Sequence, residues 1–402
     1  MDRRHFVRLC GGIGIAGIAG CSSSDSNQST PTSTAKQDSP DDYSTFQLDN
    51  RNTGFYQGSQ APTGGVSKQW KVDSTATIQP IATDDSVYVG GADTTNIKSV
   101  DRTDGTEQWT FKTDGDVFSA LAVANQTVYI SSLDGYLYAV DASDGTERWS
   151  SQLVENPTYY EGSGDGLFSF PTPTDDTVYT ASNDGVVHAI AASDGSEQWT
   201  FETKNGGEYY DISITSPAVA DGTTYVNVNG GLLYALDSST GAEQWRFESA
   251  YSAPTISSDT VYTLGATDDT TVVYGLNTAD GSEKWSYEVE TGVFASPAVG
   301  QDTICFGDMN DRVYAIDTSG NEKWRVQLDT SGNSYHTVID SSTVYVAKNN
   351  KLYALAVTDG TERWHFEPEA DTTFQSPTIA SGTIYIGGIR DGVYALQSAS
   401  ES

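Results

Sequence analysis

Few residues of this 402-residue sequence belong to the types that carry out chemistry. Of its three cysteines, Cys10 and Cys21 lie in an apolar N-terminal stretch, so Cys305 is alone in the remainder and no disulfide can form there. The histidines outside that stretch are His188, His336 and His365. Their spacing does not match a zinc site, and we interpret His188 and His365 as packing residues. The sequence therefore predicts no catalytic residue and no metal site.

Carboxylates beside glycines offer a second kind of chemistry. Asp134-Gly135, Asp184-Gly185 and Asp391-Gly392 could suggest calcium binding through carboxylate oxygens. Each pair, however, separates two short apolar segments at a point where a hairpin needs a tight turn, which Asp-Gly favours. Turn formation is the interpretation we adopt.

The elements that must position these residues follow from a repeat. The eight tryptophans are Trp70, Trp109, Trp149, Trp199, Trp245, Trp285, Trp324 and Trp364, and successive spacings are 39, 40, 50, 46, 40, 39 and 40 residues. All but the first end a version of the motif Ala-x-Asp-x-x-Asp/Thr-Gly-x-Glu-x-Trp, which is complete in residues 139–149, whereas Ala191, Asn277 and Ala356 replace its first Asp in three copies. In one copy, Asp317 to Trp324, the motif is one residue shorter. A period near 40 is typical of β-propeller blades.

Each unit also contains a Ser-Pro-Ala-Val-like phrase and a Thr-Val-Tyr-Val-like phrase, so it divides into four short strands. In the second phrase Cys305 stands where the other units carry tyrosine, which predicts a small buried residue. The last unit ends before any tryptophan, whereas Trp70 precedes the first complete unit. The sequence therefore predicts an all-β, eight-bladed propeller with four-stranded blades, in which the strand Lys68–Val72 completes the last blade.

The motif resembles the tryptophan-docking repeat of the quinoprotein (PQQ) alcohol dehydrogenase-like propellers, over about residues 43–402. That superfamily includes PQQ-dependent dehydrogenases and a non-enzymatic propeller lipoprotein of the Bam outer-membrane assembly complex. The resemblance implies that all eight tryptophans form a structural girdle between blades. For a PQQ dehydrogenase, the resemblance would imply an adjacent cysteine pair, an axial aspartate base and Glu/Asn/Asp calcium ligands. This sequence has no Cys-Cys pair, so we expect no cofactor, with PQQ as the alternative.

The N-terminus resembles an export signal. Arg3-Arg4 resembles a twin-arginine motif, and Ile18-Ala19-Gly20-Cys21 resembles a lipobox, whose cysteine would carry the lipid. The apolar run between them is shorter than the roughly 20 residues of a membrane span. We expect a signal in residues 1–21, a flexible Ser/Thr/Asp tether in residues 22–42 and a single propeller in residues 43–402.

The charge balance is strongly acidic. Removing Arg3, Arg4, Arg8 and Asp2 from the totals of 21 basic and 55 acidic residues leaves 18 − 54 = −36. Such a charge disfavours nucleic acid and anionic membrane surfaces as partners. Because molar salt screens repulsion between carboxylates, the composition and the twin-arginine signal together indicate a halophilic archaeon.

Two long insertions suggest a binding face. The connections from Trp149 to Pro171 and from Trp199 to Pro217 span 22 and 18 positions, against 9 to 13 elsewhere. Variable loops on a rigid scaffold commonly carry recognition, although tolerated surface insertion is the alternative. The candidate binding residues are Tyr159, Tyr160, Phe168, Tyr209, Tyr210, Asp211, Tyr335 and His336.

These observations lead to one expected function and one alternative. We expect a monomeric, lipid-anchored binding or scaffold protein at the outer face of the cytoplasmic membrane, which contacts the membrane only through its lipid. Its partner would be a protein or a small polar ligand of the cell envelope. The alternative is a PQQ-dependent oxidoreductase.

Overall fold

The computed structural model of the protein describes most of the chain beyond residue 42. The described residues are 43–44, 49–56, 61–62, 64–73, 79–90, 95–117, 121–155, 157, 159–160, 163–164, 166–167, 169–203, 215–228, 231–248, 250–266, 270–293, 295–329, 336–370, 372–389 and 391–399. All of them belong to one compact unit, residues 39–402. Within these ranges no helix has the length and apolarity needed to cross a membrane.

The described residues form β-strands arranged in eight four-stranded antiparallel blades, which confirms the predicted fold class. The first three strands are β1 (Tyr43–Ser44), β2 (Phe55–Tyr56) and β3 (Val66–Val72). Blades 1 and 2 contain β4 (Ile81–Ala82), β5 (Ser86–Val89), β6 (Asn96–Asp101), β7 (Glu107–Lys112), β8 (Ala122–Ala124), β9 (Thr127–Ser131), β10 (Tyr136–Asp141) and β11 (Glu147–Gln152). A small hairpin, β12 (Tyr159–Tyr160) and β13 (Ser163–Gly164), follows. Blades 3 and 4 contain β14 (Thr172–Pro173), β15 (Thr177–Ser182), β16 (Val186–Ala191), β17 (Glu197–Glu202), β18 (Ala218–Ala220), β19 (Thr223–Val228), β20 (Leu232–Asp237) and β21 (Glu243–Glu248).

The second half of the ring repeats this plan. Blades 5 and 6 contain β22 (Thr255–Ser257), β23 (Thr260–Ala266), β24 (Thr271–Asn277), β25 (Glu283–Val289), β26 (Ala298–Val299), β27 (Ile304–Gly307), β28 (Arg312–Ile316) and β29 (Glu322–Gln327). Blades 7 and 8 contain β30 (His336–Asp340), β31 (Thr343–Lys348), β32 (Lys351–Ala356), β33 (Glu362–Phe366), β34 (Thr378–Ala380), β35 (Thr383–Gly388) and β36 (Gly392–Ser398). We name the strands of each blade a to d from the central channel outward.

The burial of each strand explains its sequence pattern. The b strands are buried at almost every position, as in Thr127–Ser131, because they are covered on both faces by neighbouring blades. The d strands alternate, so in Glu147–Gln152 only the tryptophan is fully buried. The alternation is expected of a strand at the outer rim, where one face packs and the other meets solvent.

The antiparallel order defines two faces of the propeller. The a–b and c–d turns lie at one face, which we call the turn face. The b–c turns and the d–a connections between blades lie at the opposite face, which we call the insertion face. The two long insertions are both d–a connections, from β11 to β14 and from β17 to β18, and therefore emerge on the same face at successive blade junctions.

The ring closes through the N-terminal strand, as predicted. Strand β3 pairs antiparallel with β36 from Val66, opposite Ser398, to Val72, opposite Val393, and is two residues longer than predicted. On the channel side, the Thr378 hydroxyl of blade 8 donates a 2.6 Å hydrogen bond to the Pro80 carbonyl, just before blade 1. Closure removes the open strand edges that would otherwise promote aggregation.

Each tryptophan contacts the next blade in the same way. Its indole Nε1–H donates to a backbone carbonyl across the blade junction, at 2.7 to 3.1 Å. The pairs are Trp70–Arg102, Trp109–Ala142, Trp149–Ala192, Trp199–Ser238, Trp245–Thr278, Trp285–Thr318, Trp324–Val357 and Trp364–Pro62. Blade 8 has no c–d turn of its own, so Pro62 supplies the acceptor that such a turn would have offered Trp364.

The glycine of each c–d turn lies against the tryptophan of the preceding blade. Gly195 has φ +74°, and a Cβ added there would lie 2.6 Å from Cε3 of Trp149. Gly222 has a similar φ, +77°, but no atom within 4 Å of such a Cβ. An alanine at Gly195 would therefore introduce both backbone strain and steric overlap, whereas an alanine at Gly222 would introduce backbone strain alone.

We expect Gly195→Ala to lower the free energy of unfolding by about 3–4 kcal/mol, because about 1–2 kcal/mol of left-handed backbone strain adds to overpacking of a similar size. Gly222→Ala, the matched control, should cost only about 1–2 kcal/mol, from strain alone. Denaturant unfolding in molar KCl measures both. Equal losses would show that the glycine–tryptophan contact adds nothing.

Candidate functional site

Most of the residues predicted for binding lie outside the described ranges. Phe168, Tyr209, Tyr210, Asp211 and Tyr335 fall there, as do Arg3, Arg4 and Cys21 of the export signal. Tyr159 and Tyr160 form the first strand of the hairpin, opposite Gly164 and Ser163. His336 opens β30 at the insertion face of blade 7 and is half-buried. Loss of hydration lowers the pKa of His336 to about 4, so its imidazole is neutral at neutral pH.

Two exposed apolar side chains also mark the insertion face, and sequence reasoning missed them. Met309, in the b–c turn of blade 6, is 40% exposed, and Ile389, in the b–c turn of blade 8, is 39% exposed. They are the only large apolar residues that are exposed in the described part of the chain. The Met309 amide donates to the Gly292 carbonyl at 2.9 Å and the Ile389 amide to the Thr373 carbonyl at 3.0 Å, so d–a connections hold both turns.

A network of charged groups stiffens the same face at the junction of blades 6 and 7. The Asp308 carboxylate is fully buried and accepts hydrogen bonds from Arg312 Nε at 2.8 Å, the Tyr314 hydroxyl at 2.9 Å and the Thr291 hydroxyl at 2.9 Å. Burial acts to raise the pKa of Asp308, but these bonds and the backbone N–H of Arg312 outweigh it and the pKa is lowered.

Lys348 extends this network across the junction. Its side chain is fully buried at the end of β31 and pairs with Asp311 in the b–c turn of blade 6. Burial lowers the pKa of Lys348, whereas Asp311 acts to raise it. Because each of these cations has an acidic partner inside the protein, the network fixes the rim and offers a ligand little uncompensated charge.

At the turn face, the segment 49–56 lines the channel, which sequence reasoning also missed. Its carbonyls accept hydrogen bonds from amides of the a strands of four successive blades, 4 to 7. The pairs are Asn50 with Val219 (2.6 Å), Arg51 with Ile256 (2.8 Å), Thr53 with Val299 (2.7 Å) and Gly54 with Ile339 (2.7 Å). Strand β1 pairs with β8 of blade 2, and β2 runs parallel to β30 of blade 7.

Asn52 anchors this segment. It is fully buried, has φ +55°, and its Nδ2 donates to the carbonyls of Ser216, Pro217 and Pro254 at 3.1 to 3.4 Å. Asp49 shapes the bend by accepting from the amides of Arg51 and Thr53. Segment 49–56 therefore hydrogen-bonds to the free edges of the a strands in blades 4 to 7.

Of the cysteine and the other two histidines of the propeller, Cys305 and His188 are buried and His365 lies at the surface. Cys305 is fully buried between Ala298 and Ala315, and burial strongly raises the pKa of its thiol, which stays protonated. His188 is buried, 3.2 Å from the Ser182 hydroxyl. His365 differs from the packing residue we expected, because its side chain is 45% exposed and lies 2.8 Å from Glu362.

The adjacent cysteine pair of the PQQ dehydrogenases has no counterpart in this sequence. No group of three His, Cys, Asp or Glu side chains in the described ranges could hold a metal ion. The one cysteine of the propeller is a buried strand residue.

Comparison with known proteins gives one family. The family described as outer membrane protein assembly factor BamB matches residues 59–168, 93–262 and 183–400, which together cover most of the chain. No curated protein matches the chain in sequence.

Solved structures share the fold at low identity. BamB from Moraxella catarrhalis is 15% identical, with a TM-score of 0.68 over 83% of this chain and 100% of that one. A quinohemoprotein alcohol dehydrogenase from Comamonas testosteroni is 14% identical, with a TM-score of 0.70 over 90% of this chain and 82% of that one. The computationally designed protein Ika8 is 14% identical, with a TM-score of 0.67 over 82% and 98% of the two chains. Proteins of different kinds thus share this architecture, which alone does not assign a function.

Proposed function

Because the chain belongs to the family of outer membrane protein assembly factor BamB, we propose that it is a non-enzymatic binding scaffold of the cell envelope. It binds a protein partner or a small polar ligand on its insertion face. The propeller supplies the rigid support, and the d–a connections and b–c turns supply the contacts.

The exposed pair Met309 and Ile389 carries this proposal. Single exposed apolar residues are common on protein surfaces, but here both occur on one face, in turns whose backbones are held by neighbouring connections. Apolar side chains on an ordered rim bind a partner without the entropic cost of ordering a loop. The insertions with Tyr159, Tyr160, Tyr209 and Tyr210 emerge on the same face, and tyrosine is an efficient contact residue.

We further propose that the protein reaches its place of action through the twin-arginine signal and stays there as a monomer anchored by a lipid on Cys21. The tether then connects the outer face of the cytoplasmic membrane to the propeller. The acidic composition supports a halophilic source, in which the scaffold works in concentrated salt. No contact with nucleic acid is part of this proposal.

The test is capture of partners by the tagged protein from membranes solubilised in molar KCl. The variants are Met309→Ser with Ile389→Ser, Tyr159→Ala with Tyr160→Ala, and Tyr209→Ala with Tyr210→Ala. We expect recovery of a specific partner to fall about tenfold in at least one double variant, as for loss of a binding hot spot.

Gln126→Ala, in an exposed turn of the opposite face, is the matched control and should leave recovery unchanged. Melting temperatures of all variants should stay within a few degrees, because none removes a girdle contact. A partner that is captured equally by every variant would place binding elsewhere.

The alternative, a PQQ-dependent oxidoreductase, is supported only by the shared fold of the quinohemoprotein alcohol dehydrogenase. Adding PQQ and calcium to the purified protein tests it directly. A bound quinone absorbance spectrum that survives gel filtration, with alcohol oxidation, would replace the scaffold proposal by the enzymatic one.

A further inference from the structure

We propose that a cleft between blades 5 and 6, on the turn face, binds a neutral sugar. The cleft has a volume of about 430 Å³ and lies beside Trp285. Its volume falls in the range of roughly 300–1,000 Å³ that is usual for small-molecule sites. It lies on the face opposite the insertions, so the proposal is independent of the partner-binding face.

The cleft coincides with the one shortened turn of the repeat. In blade 2 the Gly145 amide closes the c–d turn on the Asp141 carbonyl, four residues back. In blade 6 the Gly320 amide bonds to Asp317, only three residues back. The missing residue corresponds to Asp144, whose carboxylate caps the turn of blade 2.

The shortened turn also lacks a hydrogen bond that joins the c–d turn to the a–b turn in the other blades. In the other six blades with a c–d turn, an amide of that turn donates to the a–b turn beside it, at 2.9 to 3.1 Å. The donors are Arg102, Ala142, Ala192, Ser238, Thr278 and Val357. In the described part of the chain the Thr318 amide, at the corresponding position, makes no such bond. Thr318 and Gln301 of the a–b turn instead line the cleft together.

A second departure from the repeat affects Trp285. Opposite Trp149 on the neighbouring strand lies Ala139, but opposite Trp285 lies Gly275. A Cβ at Gly275 would be only 2.4 Å from Cε2 of Trp285, so the indole approaches its own blade more closely than an alanine would permit. Gly320 covers the ring from the next blade, at 2.8 Å from a built Cβ. A ligand in the cleft therefore meets the edge of the indole rather than its face.

The lining indicates the chemistry of the ligand. Ser257, Ser258 and Ser319 contribute hydroxyl groups and Gln301 an amide. The one cation, Lys284, is already 2.7 Å from Asp259 and also donates to the Thr260 hydroxyl, so the cleft has no uncompensated charge. An anion would also be repelled by a protein of net charge −34. Groups that both donate and accept hydrogen bonds, with no uncompensated charge, match the hydroxyl groups of a neutral sugar.

The test is saturation-transfer difference NMR of the purified protein in molar KCl, with maltose and lactose as probes and glucuronic acid as the anionic comparison. We expect saturation transfer to at least one neutral disaccharide, with a Kd of roughly 1 mM as befits an open polar site. Glucuronic acid should give a signal at least about fivefold weaker, because the cleft has no unpaired cation to compensate the desolvation of its carboxylate. No transfer to either disaccharide would overturn the proposal.

Two variants locate the site. Inserting an aspartate between Ser319 and Gly320 gives the c–d turn of blade 6 the same length as that of blade 2. This variant should bind the sugar at least about tenfold more weakly, while its melting temperature is unchanged or higher. Gln301→Ala removes one rim amide and should weaken binding about threefold, whereas Gln126→Ala, in the corresponding turn of blade 2, should have no effect. Binding that survives the insertion in a folded protein would show that the sugar binds elsewhere.

Discussion

A chain that begins at Asp73, and so lacks strand β3, should lose the cooperative thermal transition of the propeller. It leaves β36 with an unpaired edge and exposes residues such as Val393 and Leu396, which are fully buried in the intact ring. It also removes Trp70, which packs on Tyr385 at 5.8 Å and bonds to Arg102 of blade 1. Trp70 is partly buried, and even the loss of a fully buried tryptophan costs only about 3–5 kcal/mol, so the unpaired edge of β36 must add to it to exhaust the roughly 5–15 kcal/mol of a whole domain.

A chain that begins at Ser39 is the matched control, because it keeps every described strand. A third chain, beginning at Gly64, keeps β3 but lacks the channel segment 49–56 and the Pro62 acceptor. We expect it to unfold cooperatively at a melting temperature roughly 5–15 °C below that of the control, since it loses several buried hydrogen bonds but no blade strand. Differential scanning calorimetry in molar KCl measures all three. If the chain from Asp73 melts like the control, the closing strand does not hold the ring together.

The fold was predictable because its information is local and repeated. Seven blades carry a similar c–d turn and all eight carry the tryptophan, so a spacing of about 40 to 50 residues identifies the units. Closure also followed from a count, since the last unit lacks a tryptophan and Trp70 has no other unit to join. Cys305 could be interpreted from its slot in the repeat, and it is buried there.

The channel segment was not predictable, because its contacts use backbone carbonyls that every residue has. Asn50, Arg51 and Thr53 show no apolar periodicity, and their partners lie more than 160 residues away in the chain. Asn52 gave one weak signal, since asparagine tolerates the left-handed backbone found there.

The candidate sites were only partly predictable. Both insertions join a d strand to the next a strand, which is enough to place them on one face. Tyr209 and Tyr210 themselves lie outside the described ranges. Met309 and Ile389 could have been noticed as apolar residues in turns that are otherwise polar. The shortened turn at Gly320 was visible in the sequence, but its effect depends on the packing of Trp285 against two blades.

The acidic surface leads to the second large expected effect, a steep dependence of stability on salt. The chain has a net charge of −34, and the compact ring brings its carboxylates closer together than the unfolded chain does. Some of these carboxylates are held ionised by local hydrogen bonds: those from Ser143 and Arg148 lower the pKa of Asp141, and those from Ser196 lower that of Asp194. Because folding lowers these two pKa values, the ionised carboxylates stabilise the fold at any pH above the ordinary pKa of aspartate. This stabilisation is lost as the pH falls through the lowered pKa.

We therefore expect the melting temperature to rise by roughly 15 °C between 0.1 M and 2 M KCl at pH 7, as the Debye length falls from about 10 Å to below 3 Å. The matched variant combines Glu202→Gln, Glu248→Gln and Glu288→Gln, three exposed carboxylates on the d strands of successive blades that form no ion pair within the described ranges. Because it removes three negative charges without touching a blade junction, it should melt higher than the wild type at low salt and converge with it at high salt. Sucrose, which stabilises compact states without screening charge, should raise both proteins equally. A variant that keeps the full salt dependence and the low-salt melting temperature of the wild type would show that repulsion among surface carboxylates is not what salt relieves.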